Sequence, residues 1–485
     1  MHVKFSTSLL LSALTLLPLP SLAQKDATLW LTNPDHSALL AEQSPKLVFT
    51  KEIPPGPIID VDSAKTYQAI DGFGFALTGG SAMLLHHMDA AKRAALLHNL
   101  FTAEGDGIGV SYLRVTVGSS DMNDHVYSYD DLPQSTSDSS PQTDPDMAHF
   151  SLAPDETDVI PVLKEILAIN PKIKILASPW SAPLWMKTTG KAQGGVLLPE
   201  YFPAYAKYWV KYIQGMKAEG ISIDALTIQN EPLNEKNTPS MVMLAPEQAD
   251  FIEHDLGPAF QKAGIQTKIL LYDHNLDHPA YVTSILKDPD ANKYIDGSAW
   301  HLYGGKVEAM TQVHDAFPAK NIYFTEQSIN DRSGAINMNV AHPVARVVIG
   351  TTRNWSRNVL LWNLAADPNA GPHTNDGGCP VCYGALTIDG DNVTRLVAYY
   401  VLAHASKFVP PGSVRIDSNS PVGNSNPVGN SSMDTLPNVA FQTPDGKEVL
   451  IVSNPGDAPQ NFAVRYKSKA FTTSLGAGAV ATYVW

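Results

Sequence analysis

From about Tyr67 onward the chain alternates between short runs of consecutive apolar residues and longer runs in which apolar residues return every three or four positions. Short continuous runs are how strands read when both faces of a parallel sheet are covered. Candidate strands fall at 69–76, 109–117, 173–177, 225–229, 267–272, 295–301, 321–325 and 359–363. The longer pattern predicts helices over 89–100, with Asp89 as its cap, and over 159–169, 202–219, 246–263, 279–287, 306–317, 341–354 and 395–406. Eight strands interleaved with helices predict an α/β fold, a (β/α)8 TIM barrel, in preference to an open doubly wound sheet.

Both ends of the chain break the alternation. Residues 27–32 and 47–50 read as strands ahead of the barrel. After Pro410 the composition turns rich in Ser, Asn and Pro over 418–432, and then 439–442, 449–453, 462–466 and 479–485 alternate like antiparallel strands. An attached β-sandwich domain formed by both chain termini is expected. Its N-terminal strands lie in 24–60 and the rest in 408–485, with the barrel over 61–407. Residues 1–23 stand apart: His2 and Lys4 precede an apolar stretch from Leu9 to Leu19, and Ser21-Leu22-Ala23 closes it, the shape of a signal peptide cleaved near Ala23. Pro18 and Pro20 interrupt a stretch already shorter than the ~20 apolar residues of a membrane span. A secreted or periplasmic protein without a transmembrane segment in its mature chain is the expectation.

Charge narrows the partners. With 48 acidic against 34 basic side chains the formal net charge is -14, which disfavours nucleic acid and leaves room for a neutral ligand such as a sugar. The two cysteines, Cys379 and Cys382, form one CPVC; in an exported chain this reads as a local disulfide clamping a loop, whereas in the cytosol it would suggest a redox dithiol. A four-cysteine zinc site lacks its second pair, and no HExxH helix occurs, so no metal is expected. Gly72, Gly74, Gly79 and Gly80 lack GxGxxG spacing and an acidic ribose partner, so they read as close backbone approach at the barrel mouth, and no cofactor is called for.

Two strand ends carry acids. In ALTIQNEPL the apolar run from Ala225 to Ile228 delivers Glu231 and is stopped by Pro232; in NIYFTEQS the seventh strand delivers Glu326. Barrel enzymes place their chemistry at the C-terminal ends of strands, so the two acids are expected to face one another across one mouth. Cleavage of a glycosidic bond uses such a pair: an acid protonates the departing oxygen and a carboxylate attacks or stabilises the anomeric carbon. A separation of about 5 to 5.5 Å gives retention and about 6.5 to 9.5 Å inversion, and sequence leaves this open. Asn230 offers an amide to a substrate 2-hydroxyl. ILASPWSAPLWMK carries Trp180 and Trp185, which read equally as sugar-stacking rings or as core. SAWHLYGG places His301 and Tyr303 to orient a carboxylate or simply to pack; LLWNLAADP ends a strand with Trp362, a floor for a sugar ring. Arg114 lies inside the second strand and needs a carboxylate, for which Glu326 is a candidate, and Asp121 beyond it is suited to sugar hydroxyls.

At these residues the chain resembles glycoside hydrolase family 30, the family of lysosomal glucosylceramidase and of microbial endo-β-1,6-glucanases. The ordered set GFGFALTGGSA, LRVTVGSSD, LASPWSAPLWMK, TIQNEP, WHLY, YFTEQS and WNLAADP carries the likeness over essentially the whole mature chain. The resemblance implies a (β/α)8 barrel with a sandwich, Glu231 as acid/base, Glu326 as nucleophile and net retention. It also implies Asp121, Trp180, Asn230 and Trp362 around the nonreducing-side sugar, and Arg114, His301 and Tyr303 beside the nucleophile. The segment GPHTNDGGCPVCYG (371–384) and the FALTGGSA run depart from glucosylceramidase and are more similar to the β-1,6-glucanase branch. The function so implied is an endo-β-1,6-glucanase acting on β-glucan; the alternatives are a glucosylceramidase-like or exo-acting β-glucosidase and, in another class, a noncatalytic carbohydrate-binding protein.

Overall fold

Eight parallel strands close a barrel: β1 (Gly72–Leu77), β2 (Tyr112–Thr116), β3 (Lys174–Ser178), β4 (Ala225–Thr227), β5 (Lys268–Leu276), β6 (Ile295–Gly305), β7 (Asn321–Glu326) and β8 (Ser356–Asn363), with β8 returning to β1. The computed structural model describes residues 1–2, 26–132, 142–329, 338–375, 377–421 and 436–485. Apart from its first two residues, the leader expected over 1–23 lies outside the described residues. Among the described residues no helix is long and apolar enough to cross a membrane.

Strand periodicity sets the contents of the barrel, because every second side chain points inward. Tyr112, Leu176, Ala225, Leu270, Ala299, Tyr323 and Leu360 form one buried apolar cluster across seven strands. Two residues further along the same strands stand Arg114, Ser178, Thr227, His301, Thr325 and Trp362, all buried and mostly polar. The barrel therefore changes from an apolar plug to a polar floor in a single pleat step, at the end where the chain leaves the strands. On β5 the step is offset: the register shifts between Tyr272 and His274, and Asp273 takes the place that strict alternation from Leu270 would give to Tyr272. The outer faces of the strands pack on the surrounding helices in the main core. Among these, Ala90–Phe101 starts at Asp89, whose carboxylate accepts from the backbone N–H groups of Ala91 and Lys92.

The N- and C-terminal strands form a nine-stranded sandwich sheet with its own core. In spatial order these are Lys469–Leu475, Gln460–Tyr466, Ile58–Ala69, Val414–Ser418, Asn438–Gln442, Glu448–Ser453, Val480–Val484, Ala27–Thr32 and Ala41–Leu47. Ile58–Ala69 belongs to this sheet, so the chain crosses into the barrel at Ile70 and Asp71, past the boundary expected at 60/61. The strand expected over 69–76 is correspondingly two strands, with a break between Ala69 and Gly72. The strand expected at 47–50 lies earlier, at Ala41–Leu47; its sequence AEQSPKL is polar and contains Pro45, which an edge strand tolerates. Thr50 then exchanges backbone hydrogen bonds with Ala470 on the opposite edge strand, which brings the two edges of the sheet together.

Of the four glycines read as close-approach points, Gly79 and Gly80 lie at the mouth, opening the helix Gly79–His86 that periodicity did not reveal. A Cβ on Gly80 would meet the Met122 carbonyl at 2.5 Å. Gly72 and Gly74 sit within β1, below the mouth; a Cβ on Gly74 would lie 1.5 Å from the Tyr112 carbonyl oxygen.

Barrel and sandwich are joined through His404, fully buried on the helix Val397–Ser406, with Nδ1 2.9 Å from Thr482 Oγ1 and Nε2 2.8 Å from Thr32 Oγ1. Thr482 Oγ1 donates to the His404 carbonyl, so it accepts from Nδ1–H, and Nε2 is left to accept from Thr32; the imidazole is neutral. Burial pushes its pKa down to about 3. The unfolded chain binds this proton near pH 6.5, so the stability linked to neutral His404 is complete above that pH and declines as pH falls towards 3. Chemical unfolding of His404→Gln should show a stability gap to the wild type that narrows below pH 6.5 by up to about 1.4 kcal/mol per unit.

Candidate active site

Arg114, on β2, is the hub of the polar floor. Only 1% exposed, it sends Nη1 to Glu326 Oε2 and Nη2 to Asp273 Oδ2 (2.8 Å), Asn230 Oδ1 (2.7 Å) and Ser178 Oγ (3.0 Å). A guanidinium suits this position because its planar fork serves several acceptors at once. Its face lies 4.8 Å from the Trp180 ring centroid and 5.7 Å from that of Trp362, and the two indoles are 5.1 Å apart.

Asp273 is the anion that makes a buried Arg114 tenable. It accepts from Ser178 and Thr227 (2.6 Å each), Thr325 (2.6 Å), Arg114, and His301 Nε2 (3.0 Å). Burial works against its charge, but Arg114, His301 and the hydroxyls hold its carboxyl well below the usual range. Sequence reasoning ended the fifth strand at Tyr272 and missed this residue. The signal was there in KILLYDHNL, an acid after an apolar run like those at Glu231 and Glu326.

Glu231 and Glu326 face each other. One carboxylate oxygen of each, together with a ring nitrogen of His301, lie within 4.8 Å of one another. Glu231 stands just beyond β4 with φ of 45°, its N–H on the Asp273 carbonyl (2.9 Å), its Oε2 accepting from Asn234 Nδ2 (2.7 Å). Tyr272 (φ 72°) and Asp273 (φ 68°) are left-handed as well, so three strained residues meet around one carboxylate. Strain of about 1–3 kcal/mol per residue persists only where the surroundings over-determine the conformation. Glu326, ending β7, accepts from Tyr303 OH (3.0 Å) at Oε1 and from Arg114 at Oε2; Tyr303 as a residue is 44% exposed.

His301 joins the two acids. With Nε2 donating to Asp273, its Nδ1 stands 3.4 Å from Glu231 Oε1 and 3.7 Å from Glu326 Oε1. Burial alone would lower its pKa; Glu326, Asp273 and Glu231 raise it to about 9. Burial pushes both glutamates up, and for Glu326 that direction prevails; for Glu231 the charges and hydrogen bonds of His301, His274 and Asn234 bring it down to about 2. His301 Nδ1 thus stands 3.4 Å from Glu231 Oε1, and a proton passed between the two leaves the net charge of the centre unchanged.

Of the remaining expected residues, Asp121 and Trp180 are buried, with Oδ1 and Nε1 unpartnered. Burial, then the charges of Glu326 and Glu231, push Asp121 up to about 7. Trp185 lies elsewhere: its Nε1 donates to Asp130 (3.0 Å) and its ring packs edge-on against Tyr201. Cys379 and Cys382 are disulfide-bonded, and Cys382 packs with Ala76, Met122, Trp180 and Trp362. The same loop is tied to its neighbours by Thr374, which donates N–H to the Asp121 carbonyl (3.0 Å) and Oγ1 to that of Thr238 (2.7 Å). Among the described residues, Glu231, His301 and Glu326 are the one ligand-type group close enough to share a cation; Arg114 on Glu326 and the His301 proton already supply positive charge there.

Two family models match the chain: the glycosyl hydrolase family 30 TIM-barrel domain over residues 70–409 and the family 30 beta sandwich domain over 412–483. The endo-1,6-beta-D-glucanase neg1 of Aspergillus fumigatus is 34% identical over 415 residues, 82% of this chain and 80% of that protein. The lysosomal acid glucosylceramidase of Mus musculus is 29% identical over 458 residues, covering 89% and 84%. A solved structure, the endo-beta1,6-glucanase BT3312, superposes with a TM-score of 0.83 at 34% identity, over 95% of this chain and 99% of that one. With both domains matched and the acids of the fourth and seventh strands gathered on one barrel floor, the chain belongs to glycosyl hydrolase family 30.

Proposed function

We propose that this protein is a retaining β-glycoside hydrolase that cleaves β-1,6-linked glucan internally by double displacement. The observation that carries this reading is the approach of Glu231 and Glu326 oxygens to within 4.8 Å, near the about 5 to 5.5 Å spacing of retaining pairs and short of the about 6.5 to 9.5 Å of inverting ones. Glu326, oriented by Arg114 and Tyr303, attacks the anomeric carbon. Glu231, loaded with the proton shared with His301, gives it to the departing glycosidic oxygen. Glu231 is then a carboxylate next to the vacated leaving-group position, where it takes a proton from water; that water displaces Glu326 and restores the configuration.

Unpartnered Asp121 Oδ1 and Trp180 Nε1, with the Trp362 ring, fit the hydroxyls and C–H face of the sugar on the nonreducing side. The 1,6-glucan linkage is supported by the names of the relatives above and by the disulfide-clamped loop over Trp180 and Trp362. Likeness to a glucosylceramidase favours the second reading, in which the same sugar pocket serves a lipid glucoside. An exported location is supported by the leader-like first 23 residues and by the disulfide, which persists in oxidising compartments.

Product chromatography tests linkage and mode together, on β-1,6-glucan, β-1,3-glucan and a β-glucosyl lipid. Oligosaccharides of mixed length from the 1,6-glucan alone are expected. Glucose released one unit at a time, or cleavage of the lipid alone, would replace the reading; no hydrolysis of any β-glycoside would point to a noncatalytic binding protein.

A further inference from the structure

His274 takes part in none of the steps above, yet its position is costly to build. It follows two consecutive left-handed residues on β5, and the register shift there breaks the alternation by which neighbouring side chains point to opposite faces. The bulge lets one short segment serve the centre twice: Asp273 goes to the floor under Arg114, and His274 brings Nε2 to 3.9 Å from Glu231 Oε1.

The tautomer follows from what surrounds the ring. His274 is 9% exposed, and its Nδ1 is buried without a partner. A proton on Nδ1 would be a buried donor with no acceptor, whereas a proton on Nε2 faces a carboxylate. The charged and titratable groups near the ring are Glu231 from beyond β4, His301 from β6, and Asp273 and Asp277 on its own chain segment; Glu326 and Asp121 lie across the centre and act on Glu231. Burial, with the charge of His301, outweighs these anions and holds His274 neutral, down to about 4. At 3.9 Å the ring N–H is too far for a hydrogen bond and acts on Oε1 as an oriented dipole.

Given Glu231 as the acid/base, we propose that His274 is a positioning residue for proton transfer, a neutral N–H donor that stabilises the Glu231 carboxylate as it forms. Asn234 holds Glu231 Oε2, and His301 shares the proton at its Nδ1 with Oε1; the His274 Nε2–H is the ring donor facing Oε1 that takes no part in that exchange. The benefit is realised only when the leaving group takes a full proton, as a sugar does and a nitrophenolate does not.

The test compares a β-1,6-linked glucotriose with the nitrophenyl glycoside of β-1,6-linked glucobiose, which share the glycone and differ in leaving group. For His274→Asn, kcat/KM on the triose is expected to fall roughly tenfold or more while the nitrophenyl substrate stays within about threefold. The alkaline limb of the triose profile should move up by about half a pH unit, because the Glu231 carboxylate has lost a donor. His274→Gln, whose Nε2 can reach the position of the ring Nε2, should restore most of the triose activity. Equal losses on both substrates with an unmoved limb, or no loss on either, would overturn the proposal. Glu231→Gln serves as control: if it loses both substrates equally, the reading of Glu231 fails first.

Discussion

Glu326→Gln should reduce turnover of every β-glycoside to background, while Glu231→Gln should keep measurable cleavage of aryl glycosides with very good leaving groups. The asymmetry comes from the two halves of the double displacement. An amide at Glu326 cannot attack the anomeric carbon, so the covalent intermediate never forms and the leaving group is irrelevant. An amide at Glu231 removes the proton donor, a loss of roughly 10²–10⁴-fold on glucan, but a nitrophenolate departs without help. The second step then limits, since nothing deprotonates water, and a burst of nitrophenol followed by slow turnover is expected. Azide, which needs no deprotonation, should speed the slow phase in Glu231→Gln and leave Glu326→Gln inert. Equal losses for the two variants on the nitrophenyl substrate would contradict the role assignment, and so would failure of a mechanism-based inhibitor to label Glu326.

Asp273→Ala is expected to cost about 3–5 kcal/mol of stability, the range for leaving buried charge without its partner. Arg114 keeps Glu326 but loses its second carboxylate, and His301 loses the acceptor that fixes its tautomer. Activity should collapse on glucan and aryl glycosides alike, because the nucleophile and the acid are both held through groups that Asp273 anchors. Asp273→Asn separates the two effects: it preserves volume and an acceptor for His301 but removes the charge. The sign of its pH dependence follows from the lowered pKa. The stability due to ionised Asp273 is present above the unfolded value near 3.9 and is lost only as pH falls through the lower folded value. The gap between wild type and Asp273→Asn in urea unfolding should therefore be constant between about pH 4 and 6.5, close below that range, and shrink as pH rises towards 9, where the His301 proton that Asp273 helps to hold is lost.

Glu231, Glu326 and Arg114 were legible because each sits at a place where strand periodicity and side-chain chemistry conflict. An acid at the end of an apolar run, or an arginine inside one, needs a reason that a buried parallel strand does not give. Asp273 was equally conspicuous in type but sits one residue off the alternation. The bulge that turns it inward leaves no trace in YDHN, whose residues are not the glycines that usually mark left-handed backbone. The helix Gly79–His86 was hidden for the opposite reason: two poor helix formers stand at its start because the Asn123 side chain and the Met122 carbonyl come too close for a Cβ at either position. The boundary expected at 60/61 falls inside the strand Ile58–Ala69 because a strand's sequence records which of its faces are buried but not which sheet it hydrogen-bonds to.

By itself the sequence determined the eight-fold alternation of strand and helix, the two acids at strand ends, the local cysteine pair and the sandwich-like tail, because each of these is written in local periodicity or in the type of a single residue. Only the tertiary structure decided that an oxygen of each carboxylate lies within 4.8 Å of the other, that Asp273 anchors Arg114, that His301 stands between the two acids, and that His274 faces Glu231. Those relations join residues on different strands, and their distances depend on how the barrel closes and on one bulge, neither of which any local pattern encodes.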